Sequence, residues 1–134
     1  MASIDAIEGI GLKYATKLRK ARIRTTEALL KRGGDRAGRK QLVEQTGFSS
    51  HQILEWVNRA DLFRVKGIGE EYSDLLEASG VDTVKELRTR NAANLTEKMI
   101  QVNHDKRLVR RLPTESMVKR WIADAKKLTP AVKY

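Results

Sequence analysis

The sequence contains no cysteine and only two prolines among its 134 residues. The lack of cysteine excludes disulfide bonds and cysteine-ligated zinc, and it is compatible with a reducing compartment. Two prolines and nine glycines leave little room for long linkers, and no low-complexity segment is present. Aromatic residues make up 5% of the chain and hydrophobic residues 40%, which favours a helical core of small and branched aliphatic side chains.

Long apolar runs are missing as well. No segment approaches the ~20 apolar residues that a membrane span requires. The N-terminal segment MASIDAIEG lacks the basic and apolar regions of a secretory signal. We therefore expect a soluble cytoplasmic protein without membrane contact. A chain of 134 residues suits one compact domain, or two small halves that share one core.

Patterns typical of catalytic and metal sites are also absent. His51 and His104 are the only histidines, and neither stands at metal-ligand spacing. No G-x-S-x-G, HExxH or Walker loop is present, and nothing combines a nucleophile with a base and an orienting group. The acid pair Glu70 and Glu71 is better explained by the positive end of a helix than by catalysis or metal binding. We expect no enzyme activity, no catalytic residue, no metal and no cofactor.

Positive charge is in excess, with a formal net charge of +10 and a pI of about 10.1. Such a balance favours a polyanionic partner, although a charged, solvated helical surface is the alternative. The charge is unevenly placed. Residues 11–40 carry eleven basic and two acidic side chains, a net +9, whereas residues 65–86 carry two basic and six acidic ones, a net −4.

An internal repeat organises the chain. Residues 7–24, IEGIGLKYATKLRKARIR, return at an offset of 58 as residues 65–82, VKGIGEEYSDLLEASGVD. Each Gly-Ile-Gly suits a tight turn whose isoleucine fills the core. The amides at the start of the following helix then lack partners and suit an anion such as a phosphate. The matched apolar pairs are Ile7 and Val65, Tyr14 and Tyr72, Leu18 and Leu76, Ile23 and Val81, and Leu29 and Leu87.

Apolar periodicity and capping residues predict helices and no strands, hence an all-α fold. The first half is predicted to begin with a lead-in helix at 1–6 with a possible Ser3 cap, a helix at 11–21 with Leu12, Ala15, Leu18 and Ala21 inward, and a helix from Thr25 or Thr26 to Leu30 that Gly33 and Gly34 end. It continues with a helix from Arg36 to Gln45 and a helix capped by Ser49 or Ser50. The second half is predicted to contain a helix at 70–79, one from an Asp82 cap to Leu87, one from near Asn94, and one after Thr114. Trp56 and Trp121 are repeat mates at an offset of 65. We predict that both are buried core residues; stacking on nucleic-acid bases is the alternative.

The Gly-Ile-Gly element looks like the turn of helix-hairpin-helix DNA-binding modules. Further features are the tyrosine after each turn, Arg39-Lys40, Asn58 to Leu62, Leu112-Pro113 and Trp121-Ile122. Together they resemble a bacterial family described as domain of unknown function number 4332, over roughly residues 4–128. The resemblance implies a SAM-like helical bundle of two tandem helix-hairpin-helix units, residues 1–64 and 65–134, in a pseudo-twofold repeat. The second unit carries a basic insertion near 104–111.

In such DNA-binding hairpins, a basic residue commonly follows the second glycine by two positions. Lys13 fills that place in the first turn, but Glu71 fills it in the second. The resemblance therefore implies a phosphate site in the first turn, formed by Gly9, Ile10, Gly11, Lys13 and Lys17. Its auxiliary basic residues are Arg19, Lys20, Arg22, Arg24, Lys106, Arg107, Arg110 and Arg111. The same role is doubtful for Gly67, Ile68 and Gly69. The alternative for both turns is a packing device between helices.

These patterns lead to two hypotheses about function. The first is non-enzymatic, largely sequence-independent binding of double-stranded nucleic acid, DNA in preference to RNA, through phosphate contacts. The second is a module for protein interaction or homo-oligomer formation that uses the acidic face 70–86. The four basic residues of the insertion would share one side if that segment were helical; a solvated loop is the alternative.

Overall fold

The computed structural model describes residues 2–134, so Met1, the first residue of the predicted lead-in helix, lies outside the described range. Within that range a short 3-10 turn, Ile4–Ala6, precedes eight α-helices and no strand forms. They are α1 (Leu12–Lys20), α2 (Thr26–Gly33), α3 (Arg36–Thr46), α4 (Ser50–Leu62), α5 (Glu70–Ala78), α6 (Val84–Leu87), α7 (Ala92–Lys106) and α8 (Glu115–Lys127). The predicted all-α fold is confirmed; the sole β-type pairing among these residues is an isolated bridge between Ser3 and Thr25.

Side-chain caps define where most helices begin. Six side chains accept a hydrogen bond from a first-turn amide: Thr25, Asp35, Ser49, Thr83, Asn91 and Thr114. Such caps satisfy amides that have no partner within the helix. Two predicted caps were wrong. Thr83, not Asp82, caps α6, and Ser3 makes no side-chain cap bond. The helix predicted to begin near Asn94 begins at Ala92.

The buried apolar side chains form two clusters. One contains side chains from Ile4 to Ala60 together with Val132, and the other contains side chains from Leu62 to Ala125. Trp56 is 4% exposed and Trp121 is 2% exposed, so the prediction that both are buried is confirmed. Leu12, predicted to face inward, is 80% exposed. Ile10 already fills the core at the start of α1, which leaves Leu12 at the rim of the turn.

The two glycine turns have closely similar backbones. Gly9 has φ 92° and Gly67 has φ 93°, a region that side chains with a Cβ rarely adopt. The next amide closes each turn in the same way, since Ile10 donates to the Ile7 carbonyl and Ile68 to the Val65 carbonyl, both at 3.1 Å. Ile10 and Ile68 are buried as predicted. The repeated sequence therefore gives the same local geometry twice.

Buried charged residues of α4 contact the second half of the chain. Arg59 pairs with Asp74 at 3.0 Å and with Glu77 of α5. The Asp61 carboxylate, almost fully buried, accepts a hydrogen bond from the Val84 amide at 2.9 Å. This bond satisfies the N-terminus of α6 from a distant part of the sequence. Part of the Asn58 to Leu62 segment thus links α4 to α5 and α6.

The last residues of the chain return to the first half. The Lys133 amide donates to the Gly34 carbonyl at 2.7 Å, and Val132 is buried in the first cluster. The buried Arg39 side chain donates to the carbonyls of Gly33, Gly34 and Lys133 at 3.0, 3.1 and 2.6 Å. One guanidinium therefore ties the end of α2 to the C-terminal segment.

Candidate nucleic-acid interface

The start of α1, at the first glycine turn, has no stabilising partner. Its first backbone bond runs from the Ala15 amide to the Gly11 carbonyl. Gly11 has no side chain that could cap the helix, and no acidic residue occupies the first turn. Among the eight helices of residues 2–134, α1 alone lacks both a side-chain cap and a first-turn acid. The amides of residues 12–14 point out of a positively polarised helix end.

The second turn has the same backbone but the opposite chemistry. Glu70 and Glu71 occupy the first turn of α5, where carboxylates match the positive end of the helix. The side chain of Arg110 lines the same shallow recess as these two glutamates. A phosphate at this turn would meet two carboxylates before it reached the amides.

Acidic side chains also gather between the two turns. Partial burial raises the pKa of Glu70, and the neighbouring carboxyl of Glu8 raises it further, followed by the charges of Glu71 and Asp5. Because Glu8 directly precedes the first Gly-Ile-Gly, this effect places the second turn beside that flank of the first. The flank of the first turn that faces Glu70 is therefore acidic, and an anion would approach from the side of Lys13.

The predicted basic residues of α1 occupy different surroundings. Lys13 is exposed two positions after Gly11. Lys17 lies one helical turn further, with its Nζ 5.5 Å from the centre of the Phe48 ring, a cation–π contact. Arg19 is half-buried and its Nη2 lies 3.7 Å from the Asp5 carboxylate. Lys13 is thus the basic side chain that stands free at the first turn.

The basic insertion reaches the second turn and does not form the predicted helical face. Lys106 ends α7, Arg107 adopts φ 50° as its C-cap, and the following residues form no helix, so the four basic side chains do not share a helical face. The loop is instead pinned by Asn103, whose side chain exchanges two hydrogen bonds with the backbone of Val109. Arg110 reaches the acidic second turn. The structure therefore does not add Arg110 to the phosphate site predicted at the first turn.

Sequence reasoning missed Arg32. This half-buried side chain of α2 lines a cavity together with Lys17, which was predicted in the phosphate site, and with Lys20 and Arg22, which were predicted as auxiliary basic residues. Its place in the last turn of a short helix gives no functional signal by itself. The position 58 residues later is also an arginine, Arg90, and that match could have drawn attention to both residues.

Over residues 2–134, no group of three or more histidine, aspartate and glutamate side chains is arranged to hold a metal ion. None of the helices in this part of the chain combines the length and apolar character that crossing a membrane demands.

Fold and surface define a small all-α protein with two alike glycine turns of opposite charge. The chain belongs to the family Domain of unknown function (DUF4332), which it matches over residues 8–128. Neither the curated proteins nor the solved structures gave a match.

Proposed function

We propose that the protein is a pair of tandem helix-hairpin-helix units, related by a pseudo-twofold repeat in a SAM-like bundle, that binds double-stranded DNA without marked sequence preference. It acts without enzymatic chemistry. The contact runs through the first turn, where Gly9, Ile10 and Gly11 shape the backbone, the amides of residues 12–14 face a phosphate, and Lys13 adds a charged contact. Non-specific binding of this kind has a Kd on the order of 10⁻⁴ to 10⁻⁶ M at physiological salt.

The observation that carries this proposal is the uncapped start of α1. Every other α-helix within residues 2–134 has a side-chain cap or a first-turn acid at its N-terminus. The start of α1 instead combines three free amides, a glycine that keeps the approach open, and an exposed lysine. A Cβ added at Gly11 would meet nothing within 4 Å. An external phosphate supplies the missing partner.

The alternative, protein interaction through the acidic face 70–86, is supported less well. Asp74 and Glu77 pair with Arg59, and Glu86 pairs with Arg90 at 2.9 Å. These internal pairs leave Glu70, Glu71 and Asp82 as the acidic side chains available to a basic partner. The acidic segment thus serves largely to neutralise arginines of the same chain.

A matched pair of alanine variants tests the proposal. Gly11 has φ −80° and Gly69 has φ −119°, both accessible to alanine, and neither added Cβ meets an atom within 4 Å. Gly11→Ala places a methyl group between the free amides and a phosphate, so it should weaken binding to a random-sequence duplex in a gel shift. Gly69→Ala makes the same change at the acidic turn and should leave binding unchanged.

The outcomes separate the two functions. Equal binding by wild type, Gly11→Ala and Gly69→Ala would show that the duplex binds elsewhere. A wild type that binds no duplex at low salt, but sediments as a dimer that Glu71→Lys disrupts, would favour the protein-interaction alternative.

A further inference from the structure

A basic pocket lies at the opposite end of α1 from the glycine turn. Its cavity of about 550 Å³ is lined by Lys17, Lys20, Ala21, Arg22, Arg32, Gln45 and Thr46. Four of these seven residues are cationic, and no acidic side chain within residues 2–134 lines the cavity. The side chains come from α1, from the turn after it, from α2 and from α3, so only the fold brings them together.

The cations of the basic pocket have no carboxylate partners. None of Lys17, Lys20, Arg22 and Arg32 forms an ion pair with another described residue. Arg32 is held by neutral groups, since Nη1 donates to the Ala21 carbonyl at 3.0 Å and Nη2 to the Gln45 amide oxygen at 2.7 Å. These bonds fix the guanidinium and leave its charge uncompensated.

The second half of the chain provides an internal comparison. Arg90 corresponds to Arg32 at the offset of 58, and its Nη2 likewise donates to a turn carbonyl, that of Gly80 at 2.9 Å. However, Arg90 pairs with Glu86, and the residues equivalent to Lys17, Lys20 and Arg22 are Leu75, Ala78 and Gly80. The repeat unit therefore needs an arginine to hold the turn, but it does not need the three other cations.

Arg22 sits where the backbone favours glycine. It has φ 67°, a conformation that costs energy for a residue with a Cβ, and Gly80 occupies the equivalent place with φ 93°. If this position only had to form a stable turn, glycine would suffice. The arginine is therefore explained by a function of its positive charge.

The last-turn carbonyls of α1 do not account for these cations. The Lys17 carbonyl already accepts a bond from the Ala21 amide, the Leu18 carbonyl from the amides of Ala21 and Ile23, and the Arg19 carbonyl from the Arg22 amide. The positive side chains are thus free to meet a ligand. Along α1, Lys13 and Lys20 are separated by about 10 Å at 1.5 Å per residue, a span of a few nucleotides on a backbone with one charge every 3.4 Å of rise per strand.

We infer that the basic pocket is a second phosphate-binding site, which takes a phosphate group of the same nucleic acid whose backbone meets the first turn. That source of the phosphate rests on the proposed function, whereas the site itself does not. The phosphate is either a backbone diester or the monoester at a strand end, and both present anionic non-bridging oxygens to Lys20, Arg22 and Arg32.

Inorganic pyrophosphate is the probe for the site alone. We expect it to shift the amide NMR signals of residues 17–22, 32, 45 and 46 saturably. Arg22→Gly and Lys20→Ala should each weaken its binding about tenfold, the effect of one charge-assisted hydrogen bond. Arg22→Gly should leave Tm unchanged or higher, because glycine suits the backbone. Arg120→Ala, an exposed cation of α8 outside the pocket, is the charge-matched control and should bind as wild type.

Unsaturable shifts, or equal loss of binding in Arg22→Gly and Arg120→Ala, would overturn the site. Duplexes with 5′-phosphate and 5′-hydroxyl ends then identify the source. If the duplex with a 5′-phosphate binds more tightly and Arg22→Gly abolishes that preference, the ligand is the monoester. If both duplexes bind equally and Arg22→Gly lowers the slope of log K against log salt by about one, the ligand is a backbone diester.

Duplex binding that Arg22→Gly leaves unaltered refutes the nucleic-acid source. A wild type that binds pyrophosphate but no duplex refutes both that source and the proposed function, and leaves the site standing.

Discussion

Alanine substitutions at Gly9 and Gly67 test whether the two glycine turns share a backbone conformation but differ in their packing against the neighbouring tryptophans. Both residues have φ near 92°, but their surroundings differ. A Cβ at Gly9 would lie 3.8 Å from Trp56 Nε1, an ordinary contact, whereas a Cβ at Gly67 would lie 3.1 Å from Trp121 Nε1. The second indole would therefore have to move.

The magnitudes follow from these contacts. A residue with a Cβ at positive φ costs about 1–3 kcal/mol, and the reduced freedom of the unfolded chain returns about 0.4–1 kcal/mol. Gly9→Ala should thus lower the free energy of unfolding by about 0.5–2 kcal/mol. Overpacking typically adds about 1–3 kcal/mol, so Gly67→Ala should cost about 2–4 kcal/mol in total.

Urea unfolding followed by tryptophan fluorescence measures both variants, with an unchanged slope as the sign that only stability has altered. Gly11→Ala and Gly69→Ala are the controls, because they keep negative φ and open space. Wild-type stability in both Gly9→Ala and Gly67→Ala, or a larger loss at Gly9 than at Gly67, would refute the reasoning about the turns.

Four further substitutions test the core, the acidic turn and the C-terminal segment. Trp56→Ala and Trp121→Ala should each lower the free energy of unfolding by about 3–5 kcal/mol, measured by urea unfolding, because both indoles are buried. Glu70→Gln should raise Tm at pH 7 but not at pH 3. The raised pKa means that ionised Glu70 destabilises the folded state, a penalty absent below its ordinary pKa of 4.5. Arg39→Ala should cost about 1.5–3 kcal/mol and speed hydrogen exchange at the Lys133 amide, which lies beside the lost contacts.

Each of these predictions would be contradicted by a specific result. Indoles that emit as fully solvent-exposed in the native protein would contradict the buried tryptophans. Equal Tm for wild type and Glu70→Gln at pH 7 would show that the neighbouring carboxyls do not crowd Glu70. Unaltered exchange at Lys133 in Arg39→Ala would mean that the C-terminal segment docks without this side chain.

The two glycine turns and the helices after them were predictable, because the signals for them lie in short stretches of sequence. A Gly-Ile-Gly followed by an amphipathic run fixes turn and helix together, and threonine or serine before an apolar run marks most helix starts. Errors arose where neighbouring residues compete for the same role. Thr83 rather than Asp82 caps α6, and Ile10 rather than Leu12 is buried in the core at this turn.

The buried charges could not be predicted, because their partners are distant in sequence. Arg39 meets Lys133, and Asp61 meets Val84. Arg39 and Asp61 lie in segments that carry the family resemblance, but neither segment indicates a distant hydrogen-bond partner. The basic pocket could not be predicted for the same reason, since Arg32 lies near Lys20 and Arg22 only because α2 packs against the turn after α1.

The salt dependence of duplex binding by wild type and Lys13→Glu tests the central claim most directly. Screening limits the field of an exposed charge to about 8–10 Å, so local charge at the first turn should decide binding. We expect Lys13→Glu to weaken binding and to lower the slope of log K against log salt by about one, as for one lost phosphate contact. Glu71→Lys, the opposite reversal at the second turn, should bind as well as wild type or better. Unchanged affinity and slope in Lys13→Glu, with duplex binding intact, would contradict the account and show that the first turn only packs helices.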